Sequence, residues 1–367
     1  MNQPIYITKS SVPPLEEFNY LLKKIWKSRV FTNNGVFHKK LESKLSLYAS
    51  SKNVSLFCNG TMALIMALKA LKLKGEVITT PYTFAATSHS LLWCNLKPVF
   101  CDVNINDYNI DPSKIEALIT EKTSAILAVH CYGIPCDVKA LEKIAKKYSL
   151  KLIFDAAHAF GVKFKGKSLI GCGDASVLSF HATKTFHTIE GGAVIVKNKK
   201  TKILLDRLKN FGIKNEHEIP DIGINAKLSE INAAFGLLLF KNLKKEIALR
   251  KKVYIKYVKA LSCIDGIEIY KFDDTVEPNF SYFPIIVNNE FRYSRDELYE
   301  GFRAKRIFVR KYFYPLLSNL DSYKKFSKNS DLNNANFLSQ KILCLPIYSE
   351  LDDAAINRIL RVMKDGK

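Results

Sequence analysis

Short apolar runs alternate with amphipathic segments between about residues 30 and 240. The runs Val77–Thr80, Pro98–Val103, Ser124–Val129, Leu150–Phe154, Ala175–Phe180 and Gly192–Val196 predict buried strands. Among them, Met62–Leu73, Pro112–Ile119 and Val138–Tyr148 place apolar residues three and four apart, the spacing of a helix resting on a core. Strands interleaved with helices predict an α/β fold whose central sheet is mostly parallel and covered on both faces. Ligands of such sheets bind at the carboxyl ends of the strands. Beyond Gly236 the pattern changes. Lys241–Leu261 is a lysine-rich amphipathic stretch long enough for a linking helix, the residues after it carry fewer parallel-strand signals, and Leu351–Met363 reads as a helix. A large domain over residues 1–240 and a smaller one over 241–367 are therefore expected.

Composition narrows the class. With 47% apolar and 25% charged residues in 367, the chain has the make-up of a folded globular protein. Lysine and arginine outnumber aspartate and glutamate 56 to 35, a net charge of +21 that suggests an anionic partner. The basic residues recur on helix faces, as in Lys143, Lys146 and Lys147 or Lys241, Lys244 and Lys245, and form no arm or helix-turn-helix, so nucleic acid is not the expected partner. No stretch approaches the ~18 apolar residues of a membrane span, and Met1 to Val30 lacks the apolar centre of a signal peptide, which predicts a cytoplasmic protein. Eight scattered cysteines fit reduced thiols. Cys131 with Cys136 and His181 with His187 fall at the loose end of zinc-ligand spacing but lie far apart without a tight knuckle, so no metal site is expected.

Three short segments carry chemistry. Asn59-Gly60-Thr61 opens a helical run, where free N–H groups and the positive dipole end can hold a phosphate; a plain N-cap accounts for it equally. Asp155 follows an apolar run and is flanked by alanines that leave room for a flat ligand, although it could instead cap the next helix. Lys184 follows Ser179-Phe180-His181-Ala182-Thr183. An amine buried at a strand end can lose its proton and become nucleophilic, whereas the ordinary alternative is one more surface lysine. Hydroxyls at Ser179 and Thr183 and the glycines of Glu190-Gly191-Gly192 favour a ligand site. Together the three segments supply what pyridoxal phosphate needs: N–H donors for its phosphate, an anion for its pyridine nitrogen and an amine for its aldehyde.

These segments, with Pro81-Tyr82-Thr83-Phe84-Ala85-Ala86-Thr87 and Asn225-Ala226-Lys227-Leu228-Ser229-Glu230-Ile231-Asn232-Ala233-Ala234, resemble the nucleotide-sugar aminotransferases of the DegT/DnrJ/EryC1/StrS group from about Pro14 to Pro315. The resemblance implies a fold-type-I pyridoxal-phosphate enzyme with a smaller α+β C-terminal domain, active as a homodimer with its sites at the subunit interface. Carried over by position, Lys184 would bind the cofactor aldehyde and later move the proton, and Asp155 would pair with the pyridinium. His158 would lie near the ring oxygen and Phe84 would stack on the ring. Gly60, Thr61 and Ser179 would hold the phosphate, with Asn225 reaching it from the neighbouring subunit. Asn33, Glu190, Arg310 and Tyr314 are the expected substrate contacts.

The sequence departs from the family pattern at Cys58, where a serine-containing turn is common, and at Phe154, where many members carry glutamate. Lysine at 184, which dehydratase relatives replace by histidine, implies transamination. Pro13 to Phe18, Phe31 to Gly35 and Phe180 to Gly192 most resemble enzymes that use L-glutamate to aminate C4 of dTDP-4-dehydro-6-deoxyglucose for surface polysaccharides such as O-antigen. Enzymes that aminate C3 share the motifs with modest changes. An NAD-dependent oxidoreductase would need a Gly-x-Gly-x-x-Gly between strand and helix, but Gly171-Cys172-Gly173 runs into another strand-like segment. A DNA-binding regulator on this scaffold would need a further module.

Overall fold

A computed structural model describes residues 3–327 and 331–365 of the chain. Seven strands form the central sheet: β1 (Val54–Phe57), β2 (Glu76–Thr79), β3 (Lys97–Phe100), β4 (Thr123–Val129), β5 (Lys151–Asp155), β6 (Ala175–Ser179) and β7 (Gly192–Val196). Their order is β1-β7-β6-β5-β4-β2-β3. Every neighbouring pair is parallel except those of β7, which runs antiparallel to both β1 and β6. Val, Ile, Leu, Ala and Phe fill both faces because helices cover both.

Early in the chain, α1 (Leu15–Ser28) and α2 (Val36–Tyr48) precede the sheet. Between strands run α3 (Gly60–Ala70), α4 (Ala85–Trp93) and α5 (Val138–Lys147), with α6 (Lys199–Leu208) after β7. Side chains set their starts: Asn59 accepts the Met62 N–H at 2.8 Å and Asp137 that of Ala140 at 3.0 Å. The expected helix at Pro112–Ile119 is only one short turn, Pro112–Ile115, continued as 3-10 helix to Leu118. The lysine-rich stretch belongs to a longer helix, α7 (Glu230–Leu261), which passes residue 240 unbroken. Ala233, Ala234, Leu237 and Leu243 pack with the sheet's core, whereas Val253, Tyr257 and Leu261 pack in a second core. That second core gathers the antiparallel strands β8 (Ile267–Ile269), β9 (Phe283–Val287) and β10 (Ile342–Leu345) with α8 (Arg295–Ala304) and α9 (Asp353–Asp365). Ile5 also joins it, because Ile5 and Tyr6 pair in parallel with Ile307 and Phe308. Ile5 and Tyr6 thus lie against the last third of the chain. No helix among the described residues is long and apolar enough to cross a membrane.

Candidate active site

At the carboxyl ends of β1, β2, β5 and β6 lies a cavity of about 460 Å³. Gly60, Thr61, Phe84, Asp155, His158, Ser179, Lys184 and Glu190, all expected from the sequence, line it. One end is the first turn of α3. Asn59 is an N-cap, but its oxygen is spent on Met62, and the N–H groups of Gly60 and Thr61 stay outside the intrahelical pattern, open to an anion. Glycine at 60 lets β6 come alongside, since a Cβ there would stand 2.8 Å from the Ser179 Cβ. Phe84 caps α4 and is 61% exposed, free to cover a flat ligand.

Asp155 ends β5 and is buried. Thr87 donates its hydroxyl to Oδ2 at 2.8 Å, and the Ala157 N–H reaches Oδ1 at 3.1 Å, so the carboxylate fixes its own turn and caps no helix. Thr83, just before Phe84, and Thr87 share a hydrogen bond of 2.9 Å, extending the chain of hydroxyls from the first turn of α4 back to the segment that leads into it. Burial raises the Asp155 pKa, while Thr87, Ala157 and the charge of Lys184 pull it down. Lys184 donates to the Tyr282 hydroxyl at 3.1 Å, and burial lowers its amine from the ordinary 10.5 to about 8 against the opposing pull of Asp155. His158 accepts the Tyr132 N–H at Nδ1 (3.1 Å) and is held well below the usual histidine range, by burial first and the Lys184 charge second. It is a neutral ring stacked parallel to Phe313, 6.2 Å between centroids.

These residues suit pyridoxal phosphate: an open helix end for the phosphate, a hydrogen-bonded carboxylate for a protonated ring nitrogen, and an amine that loses its proton near neutrality. Phe154 does not disturb the arrangement. It points away into the core and stacks on His130, centroids 4.6 Å apart and planes within 5°. A carboxylate there would be buried against an aromatic ring.

Four expected residues do not line the cavity of the single chain. Asn225 is exposed and bridges Asn210 through its backbone. Asn33 sits in an exposed turn with φ of 60°. Arg310 pairs with Cys344 through its backbone, and Tyr314 lies against the Arg295 guanidinium at 4.8 Å. At the mouth, Glu190 stands 3.6 Å from His181 Nε2. Sequence reasoning passed over Tyr282, Tyr312 and Phe313, which line the cavity from the second unit, and Thr87 behind Asp155. Thr87 had a signal inside the Pro81–Thr87 segment, and Tyr312 and Phe313 had one in standing between the expected contacts Arg310 and Tyr314; Tyr282 had none.

Residues 15–364 match the model of the DegT/DnrJ/EryC1/StrS aminotransferase family. A dTDP-4-amino-4,6-dideoxy-D-glucose transaminase of Shigella dysenteriae is 48% identical over 367 residues, all of both chains. A protein of the same name from Escherichia coli is 47% identical over 365 residues, 99% of this chain and 98% of its own. Among solved structures, DesI in the presence of its TDP-sugar product superposes with a TM-score of 0.94 at 31% identity, covering 99% of this chain and 93% of its own. PseC of Helicobacter pylori, an aminotransferase involved in pseudoaminic acid biosynthesis, gives 0.91 at 25% identity and 99% of both chains. With the lysine, the aspartate and the helix end in one cavity and the family's pattern matched over nearly all its length, this chain is an aminotransferase of the DegT/DnrJ/EryC1/StrS family.

Proposed function

We propose that the enzyme uses pyridoxal phosphate to move the amino group of L-glutamate onto C4 of dTDP-4-dehydro-6-deoxy-D-glucose, acting as a cytoplasmic homodimer. The observation that carries this reading is the Lys184 amine in the same cavity as the Asp155 carboxylate, at the open end of α3. The choice of C4 leans on full-length likeness to two proteins named dTDP-4-amino-4,6-dideoxy-D-glucose transaminase. The exposed apolar side chains Phe211, Ile219, Ile222 and Ile224, next to Asn225, suit a surface covered by a second copy.

When bound, pyridoxal phosphate supplies an aldehyde that carries the amino group and a protonated ring that takes up the electron pair left at the substrate carbon. The chain's own residues do the rest. Gly60, Thr61 and Ser179 would hold the phosphate, Phe84 would cover the ring, and Asp155 would keep the ring nitrogen protonated. Lys184, poised near neutrality, takes the proton from the glutamate Cα and in the second half delivers one to the sugar carbon. Neutral His158 fills the space beside Lys184 without adding a charge. Glu190 offers a carboxylate to sugar hydroxyls, and Asn33, Asn225, Arg310 and Tyr314 complete the substrate and phosphate contacts once two chains meet.

The test incubates the purified, cofactor-loaded protein with L-glutamate and the 4-keto sugar nucleotide, then locates the new amine by NMR. An amine on C4 is expected. Turnover only of a 3-keto isomer selects the C3 alternative, and a Lys184→Ala variant that keeps near-normal turnover overturns the reading.

A further inference from the structure

Tyr282 is the hydrogen-bond partner of the Lys184 amine. Its hydroxyl lies 3.1 Å from Nζ and takes no other hydrogen bond among the described residues. The ring is wedged between His158, 4.6 Å between centroids, and Tyr132, 5.6 Å. Tyr132 is itself fixed, since its hydroxyl reaches the Tyr312 carbonyl and lies 2.6 Å from the Tyr82 hydroxyl. Tyr282 therefore has little freedom to leave the amine. It stands just before β9, so the second unit supplies the group that receives the lysine of the first.

We propose that Tyr282 is a positioning residue for Lys184: its hydroxyl accepts one amine hydrogen and fixes the direction from which the amine approaches the reacting carbon. The inference rests on Lys184 being the catalytic lysine. A flexible lysine side chain has several staggered states, and a wall of packed rings with one acceptor selects among them. An oxygen that accepts the amine hydrogen at 3.1 Å favours the ammonium over the free amine, the same direction in which Asp155 and then Tyr312 oppose the lowering by burial. The other titratable groups around the amine are His158, held neutral, and Tyr312, whose own pKa is raised by burial.

The experiment compares Tyr282→Phe with Tyr132→Phe, a change one ring away that removes no bond to Lys184. On the cofactor-free full chain, competitive labelling with acetic anhydride across neutral to alkaline pH, followed by mass spectrometry of the Lys184 peptide, gives the titration midpoint of that amine. Tyr282→Phe is expected to shift the midpoint to lower pH and, in the loaded enzyme, to lower kcat about tenfold with KM within about twofold. Tyr132→Phe is expected to leave the midpoint in place. An unchanged midpoint in a folded Tyr282→Phe protein overturns the proposal, as does an equal shift in both variants. Should Tyr282→Phe lose its melting transition, Tyr282→His carries the test, because its ring nitrogen can accept the same hydrogen. A His variant whose midpoint and kcat fall as far as those of a Tyr282→Leu protein then counts against the proposal. The labelling needs neither cofactor nor turnover, so its outcome is separate from the fate of Lys184→Ala.

Discussion

Asp155 and Lys184 are each placed where water would serve them better. Burial pushes their pKa values toward each other, the aspartate up and the lysine down to about 8, and each opposes the other's shift. Such tuning characterises groups that must carry charge and also change it. Thr87 is part of the support. Thr87→Val removes the hydrogen bond to Oδ2 while keeping the shape, so the Asp155 pKa rises further and the acid limb of the pH–rate profile moves to higher pH, with kcat lowered about tenfold. An acid limb unchanged from wild type removes Thr87 from the account. Lys184 gives a stability prediction of definite sign. Between pH 8 and 10.5 the unfolded chain holds the proton and the folded chain does not, so the cofactor-free protein gains stability as pH rises through that window and loses it as pH falls through 8. Lys184→Met removes the cost of the buried cation. Because Lys184 is half-buried and lines the open cavity, melting at pH 7 is expected to report only about 1–2 kcal/mol of stabilisation.

At the scale of elements, the parallel strands were legible because Val, Ile and Ala run together where both faces are covered. Asp155 and Lys184 were legible because each follows such a run. Strand direction was not, since antiparallel β7 has the same composition as its parallel neighbours. The start of α4 was hidden because Ala85-Ala86-Thr87-Ser88 has no apolar period; its small residues serve the close approach to Asp155. Tyr282 was beyond reach, 98 residues from Lys184 with nothing local to link them. Helix α7 was read about three turns too short at its start, at Lys241 instead of Glu230, for another reason: the first residue, Glu230, is a buried carboxylate acting at a distance. It accepts the N–H groups of Phe37 and His38 at 2.8 and 2.6 Å, joining the start of α7 to the start of α2. Its backbone N–H meets the Phe31 carbonyl at 2.9 Å, so both ends of the Asn33 turn are tied to one residue. Glu230→Ala should cost about 3 kcal/mol, and Glu230→Gln about half as much because one acceptor oxygen remains. Chemical denaturation showing equal losses for the two variants would contradict the bidentate arrangement.

For the whole molecule, the proposed division of the site between two chains makes a definite prediction for a mixture of variants. A single chain brings Lys184, Asp155 and the α3 terminus together, yet leaves Asn225 exposed beside Phe211, Ile219, Ile222 and Ile224. A free surface of that kind is unfavourable, and a second copy related by a two-fold axis would cover it twice. Under the proposed assembly, each site takes its lysine from one chain and its Asn225 from the other. Lys184→Ala homodimers then lack the amine in both sites, and Asn225→Ala homodimers lack a phosphate contact in both. When the two variants are unfolded together and refolded in equal amounts, about half of the dimers are mixed, and in each of these one site is fully wild type while the other carries both defects. At a cofactor concentration too low to load Asn225→Ala alone, the mixture should recover roughly a quarter of wild-type turnover. If both groups came from the same chain, no mixed dimer would contain an intact site, and the mixture would be no more active than the Asn225→Ala protein it contains.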